Sequence, residues 1–222
     1  INIRFHSVRQ HVNPLSQFFQ LPLSLPSKTI LFRDSCYPLH VDIGSAKGEF
    51  LIELASKYPK WNFLGLEIRE PLVSSSERKR KNLELQNLKF LYCNVNVSLD
   101  EWLSDLNSDQ LKRVSIQFPD PWFKRKHIKR RVLKKSLLNS IARYMSKDGE
   151  LFIQSDIFTL IESMTNVIEN SAYFDRKAIK GLKWLDENPY EASTDRESYV
   201  LKKNLPIYRA MYIRNSISSS IK

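Results

Sequence analysis

Between Val41 and Phe50 a short apolar run ends in small residues and passes directly into an amphipathic stretch: Val41-Asp42-Ile43-Gly44-Ser45-Ala46-Lys47-Gly48-Glu49-Phe50. No other segment constrains the fold as much, because a strand that turns tightly into a helix is the opening unit of a parallel sheet. Gly44 and Gly48 leave no side chain where a ligand must lie against backbone, and the helix beyond offers unpaired N–H donors. Two cofactor classes compete for such a turn. A dinucleotide fingerprint counted from Gly44 needs glycines where this chain has Ala46 and Glu49, and a carboxylate beneath a pyrophosphate repels it. S-adenosylmethionine carries no phosphate and bears a sulfonium and an amino group, so Asp42 at the strand end suits it. The methyl donor is the expected cofactor.

The rest of the chain repeats the theme. Strands are expected at Leu39 to Ile43, Asn62 to Glu67, Leu88 to Tyr92, Lys112 to Gln117 and Glu150 to Gln154, with a sixth near Ile207 to Ile213. Phe50, Leu54 and Tyr58 recur at helical spacing, as do Leu133, Leu137 and Ile141, so each set forms one buried stripe. Lys147-Asp148-Gly149 reads as the stop of the second helix, and Ser155-Asp156 as a strand end suited to capping the next. The class is α/β, with no internal repeat. Residues 1–38 carry Pro14, Pro22, Pro26 and Pro38 with little helical period, and read as an arm lying over one domain at 39–222. A chain of 222 residues fits one full-sized domain.

Composition narrows the partners. The 35 basic residues outnumber the 24 acidic ones by 11, a field that draws in polyanions. Much of it is concentrated in Lys124-Arg125-Lys126-His127-Ile128-Lys129-Arg130-Arg131-Val132-Leu133-Lys134-Lys135, which contains no acid. Such density points to phosphate contact, with Lys124, Arg125, Lys126, Lys129 and Arg130 as the nucleic-acid-binding candidates. No apolar run approaches the roughly 18 residues of a membrane span, so no membrane partner is expected. Cys36 and Cys93 are the only cysteines, which suits a reducing compartment and gives no zinc-ligand spacing, so no metal is expected. A cytoplasmic location follows, with organellar targeting left open because the chain starts at Ile1 and not at methionine.

Three further strand ends carry polar residues where open parallel sheets bind ligands. Glu67 stands about 20 residues beyond the glycine turn, where a carboxylate holds ribose hydroxyls. Cys93-Asn94-Val95-Asn96 puts two amides at the third strand's end; Asn94 is the choice for the adenine edge. In Gln117-Phe118-Pro119-Asp120-Pro121-Trp122 two prolines hold Asp120 rigidly and remove two amide donors.

Phe118-Pro119-Asp120-Pro121-Trp122, with Lys124 and the basic run, resembles the tRNA (guanine-N7)-methyltransferases. The resemblance takes in the glycine turn, Glu67, Asn94, Ser155-Asp156 and Thr194-Asp195-Arg196-Glu197, from about Leu39 to Arg209. Val8-Arg9-Gln10-His11-Val12-Asn13-Pro14-Leu15 is similar to the arm of some members. It implies a Rossmann-like class I methyltransferase fold, a seven-stranded, mostly parallel sheet with helices on both faces and its last strand antiparallel, acting on a guanine of the tRNA variable loop. By the same resemblance Asp42, Gly44, Glu67, Asn94 and Asp120 bind the donor or line its pocket, and Lys124, Asp156, Thr194 and Glu197 contact the substrate. Two departures stand out: Asp42 and Ala46 replace the more usual glutamate and glycine, and Arg196 replaces an aromatic before the late glutamate. Guanine N7 has a free lone pair and no proton, so no general base is needed, and Asp120 is expected to position the base and accept its N1 and N2 protons. The alternatives are a methyltransferase for another substrate, or a non-catalytic RNA-binding subunit of the same fold, which would lack Asp42 or Glu67.

Overall fold

The computed structural model describes residues 11–177 and 182–217; Val8, Arg9 and Gln10 of the arm motif lie outside them. Seven strands form one sheet in the order β3-β2-β1-β4-β5-β7-β6. They are β1 (Leu39–Ile43), β2 (Asn62–Glu67), β3 (Leu88–Tyr92), β4 (Leu111–Gln117), β5 (Met145–Ser155), β6 (Phe174–Arg176) and β7 (Tyr208–Arg214). The first five run parallel, while β7 is antiparallel to both β5 and β6. All five residues of β1 and all six of β2 are buried, as expected of central strands covered on both faces.

Between them lie α1 (Lys28–Leu31), α2 (Glu49–Lys57), α3 (Glu70–Asn82), α4 (Val95–Ser104), α5 (Lys135–Tyr144), α6 (Phe158–Glu169) and α7 (Asp195–Lys202). Side chains of α4, α5 and α6 pack on one face of the sheet, joined by Leu31 and Phe32 from the arm. Those of α2 and α3 pack on the other, with Phe63, Phe90, Tyr190 and Ala192. The arm is fastened to the first face. Trp102 Nε1 donates to Pro26 O at 2.8 Å, and Leu23 N donates to Ser98 Oγ at 3.0 Å.

Three local readings change. Helix α5 ends at Tyr144, so Lys147-Asp148-Gly149 does not stop it but lies inside β5. There the register slips: Leu111 faces Met145 while Arg113 faces Glu150. The extra residues bulge through Asp148 at φ +63°, since a glycine-bearing turn serves a bulge as well as a helix end. Leu133 is buried but precedes α5. Ser155 does not cap α6; its Oγ accepts from Ile157 N at 3.0 Å, one residue short of the helix. Strand β6, three residues long, has no counterpart in the sequence reading.

Candidate active site

Strand order reverses between β1 and β4, and a cleft of about 790 Å³ opens at the carboxyl ends of β1 to β4, where open parallel sheets hold ligands. Gly44, Glu67, Asn94, Asp120 and Arg130 line it, so five of the sequence-predicted residues meet in one place. Gly44 sits at φ +84°, and a Cβ built there would point into open space. The cradle a ligand needs is therefore present. Gly48, also at positive φ, does not line the cleft: a Cβ there would fall 2.4 Å from the Phe90 ring. Its missing side chain makes room for core packing, not for a cofactor, which corrects the expectation for this residue.

Glu67 is buried and accepts four N–H bonds. Ala46 N reaches Oε2 at 3.1 Å, and Arg69 supplies N and Nε to Oε1, both at 2.9 Å, and Nη2 to Oε2 at 3.0 Å. Arg69 also lines the cleft; sequence reasoning missed it, though a cation two residues after a strand-end acid was a usable signal. Asn94 caps α4 by accepting from Asn96 N at 3.2 Å, while its Nδ2 donates to Pro14 O and Phe19 O of the arm. The predicted adenine contact thus falls to an amide whose nitrogen already holds the arm in place. Asn96, in the same cleft, keeps a buried Oδ1 without a hydrogen-bond partner.

Asp120 is held between two strained residues, Phe118 and Trp122, both at φ +46°. Such conformations cost on the order of 1–3 kcal/mol each and persist only where surroundings impose them. Here Phe118 N donates to Gln154 O at 2.8 Å and Arg131 Nε to Pro121 O at 2.9 Å. His11 Nδ1 lies 2.7 Å from Asp120 Oδ1, and its ring is 5.9 Å from Trp122. Burial raises the Asp120 pKa, with His11 and Arg69 pulling the other way. The arm therefore reaches the Asp120 carboxylate.

Asp42 is displaced from its expected role. It lies beneath the cleft, not on its lining, and Oδ1 accepts from Ser115 Oγ at 2.6 Å and Gln117 Nε2 at 3.2 Å. Burial raises its pKa from 3.8 to about 6, the two hydrogen bonds opposing the rise. From Gln117 the bonding continues. Gln154 Nε2 donates to Gln117 Oε1 at 2.7 Å and to Glu197 Oε2 at 3.1 Å, and Arg209 Nη2 meets Glu197 Oε1 at 2.9 Å. Glu197, expected to touch substrate, is 1% exposed and closes this buried rail as the partner of Arg209. Thr194 accepts from Glu197 N at 3.0 Å as the cap of α7. Asp156 pairs with Arg196 at 2.5 Å, so the residue that departs from the family pattern neutralises the neighbouring acid. None of these three lines the cleft.

The basic run forms a 3-10 helix, Arg125–Arg130, beside the Asp120 loop. Lys124, Arg125, Lys126 and Lys129 are exposed and face solvent outside the cleft. Arg130 turns inward with its guanidinium carbon 4.9 Å from the Trp122 centroid, and its Nε is buried with no hydrogen-bond partner. Among the described residues no group of three or more His, Cys, Asp or Glu is arranged to hold a metal, and no helix is long and apolar enough to cross a membrane.

Residues 37–210 match a family model described as a putative methyltransferase. The fold is shared with solved methyltransferases at low identity. A precorrin-6y C5,15-methyltransferase from Geobacter metallireducens aligns with a TM-score of 0.51 at 15% identity, over 80% of this chain and 82% of that one. An rRNA methylase from Streptococcus thermophilus aligns at 0.51 and 13% identity, over 85% and 92%. Sheet order and cleft position thus define the Rossmann-like fold of the class I methyltransferases. Sequence relatives are narrower in kind. A tRNA (guanine-N(7)-)-methyltransferase of Prochlorococcus marinus (strain NATL1A) is 74% identical over 210 residues, covering 95% of this chain and 98% of its own. Another, from Synechococcus sp. (strain WH7803), is 53% identical over 208 residues, covering 94% and 88%. The chain belongs to the tRNA (guanine-N7)-methyltransferases.

Proposed function

We propose that this chain transfers the methyl group of S-adenosylmethionine to N7 of a guanine in the variable loop of tRNA, in the cytoplasm. The observation that carries the reading is the convergence of Glu67 and Asp120 on one cleft whose rim continues into the exposed cations after Trp122. S-adenosylmethionine fits: Gly44 leaves room against the backbone, Glu67 suits the ribose hydroxyls, and the unpartnered Asn96 Oδ1 suits an adenine amino group beside Asn94. When bound, it supplies an electrophilic methyl group on a sulfonium centre.

The protein's share is placement. Glu67 takes the ribose hydroxyls in exchange for the side-chain donors of Arg69. Asp120, released by His11, accepts from N1 and N2 of guanine, whose acidity rises as the ring becomes cationic, so its grip tightens toward the transition state. N7 needs no base, and holding it near the methyl group contributes roughly 7–11 kcal/mol. Lys124, Arg125, Lys126 and Lys129 meet phosphates. Purified protein, unmodified tRNA and methyl-labelled donor should yield labelled 7-methylguanosine from the variable loop; label at another position would refute the assignment. Asp120→Ala should lose mostly kcat and Lys124→Ala mostly tRNA affinity, and equal effects on both parameters in both variants would overturn this division.

A further inference from the structure

Beyond the cleft, the same sheet edge carries an aromatic cluster that methyl transfer leaves unused. Phe158 opens α6, Trp184 lies in the segment before α7, and Tyr208 opens β7. Phe158 stands 5.2 Å from Tyr208 at 63° and 6.5 Å from Trp184 at 77°, and Trp184 stands 5.6 Å from Tyr208 at 65°. Each contact is steeply tilted, so neither neighbour stacks flat on the Phe158 ring, and Phe158 remains 42% exposed. Lys183 Nζ lies 5.9 Å from the Phe158 centroid and 5.3 Å from that of Trp184. Arg176 approaches Trp184 from 5.0 Å.

Three acids near the patch have cation partners. Asp156 is paired with Arg196 and Glu169 with Arg176 at 2.7 Å, while Glu162 is 3.8 Å from Lys183, both side chains being substantially exposed. An exposed pair of this kind is weak and gives way to a stronger anion. The patch also lies at the same end of the sheet as the Asp120 loop. Gln117 pairs with Gln154 across β4 and β5, and Ser155 pairs with Tyr208 across β5 and β7, so two strand spacings, roughly 10 Å, separate the Asp120 loop from the cluster. Lys135, at the end of the basic run, shares a groove with Thr159, the residue after Phe158.

We propose that Phe158, backed by Trp184 and Tyr208 and flanked by Lys183, stacks an unpaired base of the substrate tRNA adjacent to the target guanine, with Lys183 on its phosphate. The inference rests on the reading of tRNA as substrate and deepens it by adding a second, sequence-tolerant contact. Every base presents a π face, so stacking tethers the strand without selecting its sequence, and Lys183, which lies over the ring in the free protein, moves from it to the phosphate of the stacked nucleotide.

The test compares Phe158→Ala, Phe158→Leu and Phe158→Tyr in direct tRNA binding, with methylation and S-adenosylmethionine binding measured alongside. Alanine and leucine should each weaken tRNA binding by about 5- to 150-fold, the range for a lost base stack, and tyrosine should bind within about two-fold of the parent. Donor affinity and kcat at saturating tRNA should stay within about two-fold in all three. Lys183→Gln should flatten the dependence of log affinity on log salt by about 0.7, one single-strand phosphate contact. The proposal is overturned if Phe158→Ala binds tRNA like the parent, or if leucine restores what alanine loses, which would make Phe158 a cover for Tyr208 only. Should alanine fail to fold, the leucine and tyrosine pair decides alone. A parent protein that binds tRNA but does not methylate it would sink the functional reading and leave this comparison standing.

Discussion

Replacing Asp42 by asparagine isolates a buried ionisation whose sign runs against the usual one for a carboxylate. Asparagine keeps an oxygen where Ser115 and Gln117 donate and removes only the titration. In the parent, burial lifts the Asp42 pKa from 3.8 to about 6, so the folded state holds a proton that the unfolded chain has released. Its contribution to stability is present at low pH and is lost as pH rises from about 4 through about 6. At about 1.4 kcal/mol per unit, the loss totals about 3 kcal/mol. His40, bonded to Ser115 in the same rail at 2.9 Å, does the opposite. Burial, with Arg113 assisting, lowers its pKa from 6.5 to about 3, so its contribution is lost as pH falls through that interval. Between pH 4 and 6 the two slopes cancel in the parent. Urea unfolding at half-unit steps from pH 4 to 7.5 should therefore show parent stability minus Asp42→Asn stability falling by about 1.4 kcal/mol per unit up to about pH 6 and then levelling. A difference that is flat, or that grows with pH, would refute the reasoning.

Other outcomes follow from single contacts. Gly48→Ala, with positive φ and its Cβ driven into Phe90, should lower stability by roughly 1–3 kcal/mol in urea titration. Gly44→Ala shares the positive φ but its Cβ meets no atom, so it should cost only the backbone strain, roughly 1–2 kcal/mol, and weaken S-adenosylmethionine binding, measured by calorimetry. Arg209→Met should cost about 3–5 kcal/mol in the same urea assay, because it leaves the buried Glu197 carboxylate without its charge partner. His11→Ala removes a contact that lowers the Asp120 pKa against the effect of burial, so the acid limb of the kcat/KM profile should move to higher pH. An unmoved limb would mean that Asp120 does not control it.

Local order is where sequence and structure agree most closely. The residues of β1, β2 and β3 were legible to their ends because each apolar run is bounded by charged or turn residues, and Glu67 and Asp120 stood out as acids at strand ends. Turn chemistry was legible but ambiguous. Asp148-Gly149 reverses the chain equally well at a helix stop and in a bulge, and only pairing with β4 decides between them. Gly48 is the same case: a glycine needed at positive φ says nothing about whether Phe90, 42 residues later, fills the space beside it.

What was not legible is pairing over distance, and this is where the site differs most from its motifs. Glu197 is expected from the resemblance to touch substrate, yet Arg209 and Gln154 enclose it, and nothing in either segment announces the other. The result ties motif to motif. Asp42 beneath the glycine turn, Gln117 before the Asp120 loop and Glu197 on α7 lie on one hydrogen-bonded rail across β1, β4, β5 and β7. In a buried rail of this kind, removing one member leaves its neighbours without partners at low dielectric, which is costly. Loss of any one member should therefore disturb the donor end and the α7 end together, which makes Asp42 and Glu197 residues that place the site without lining it.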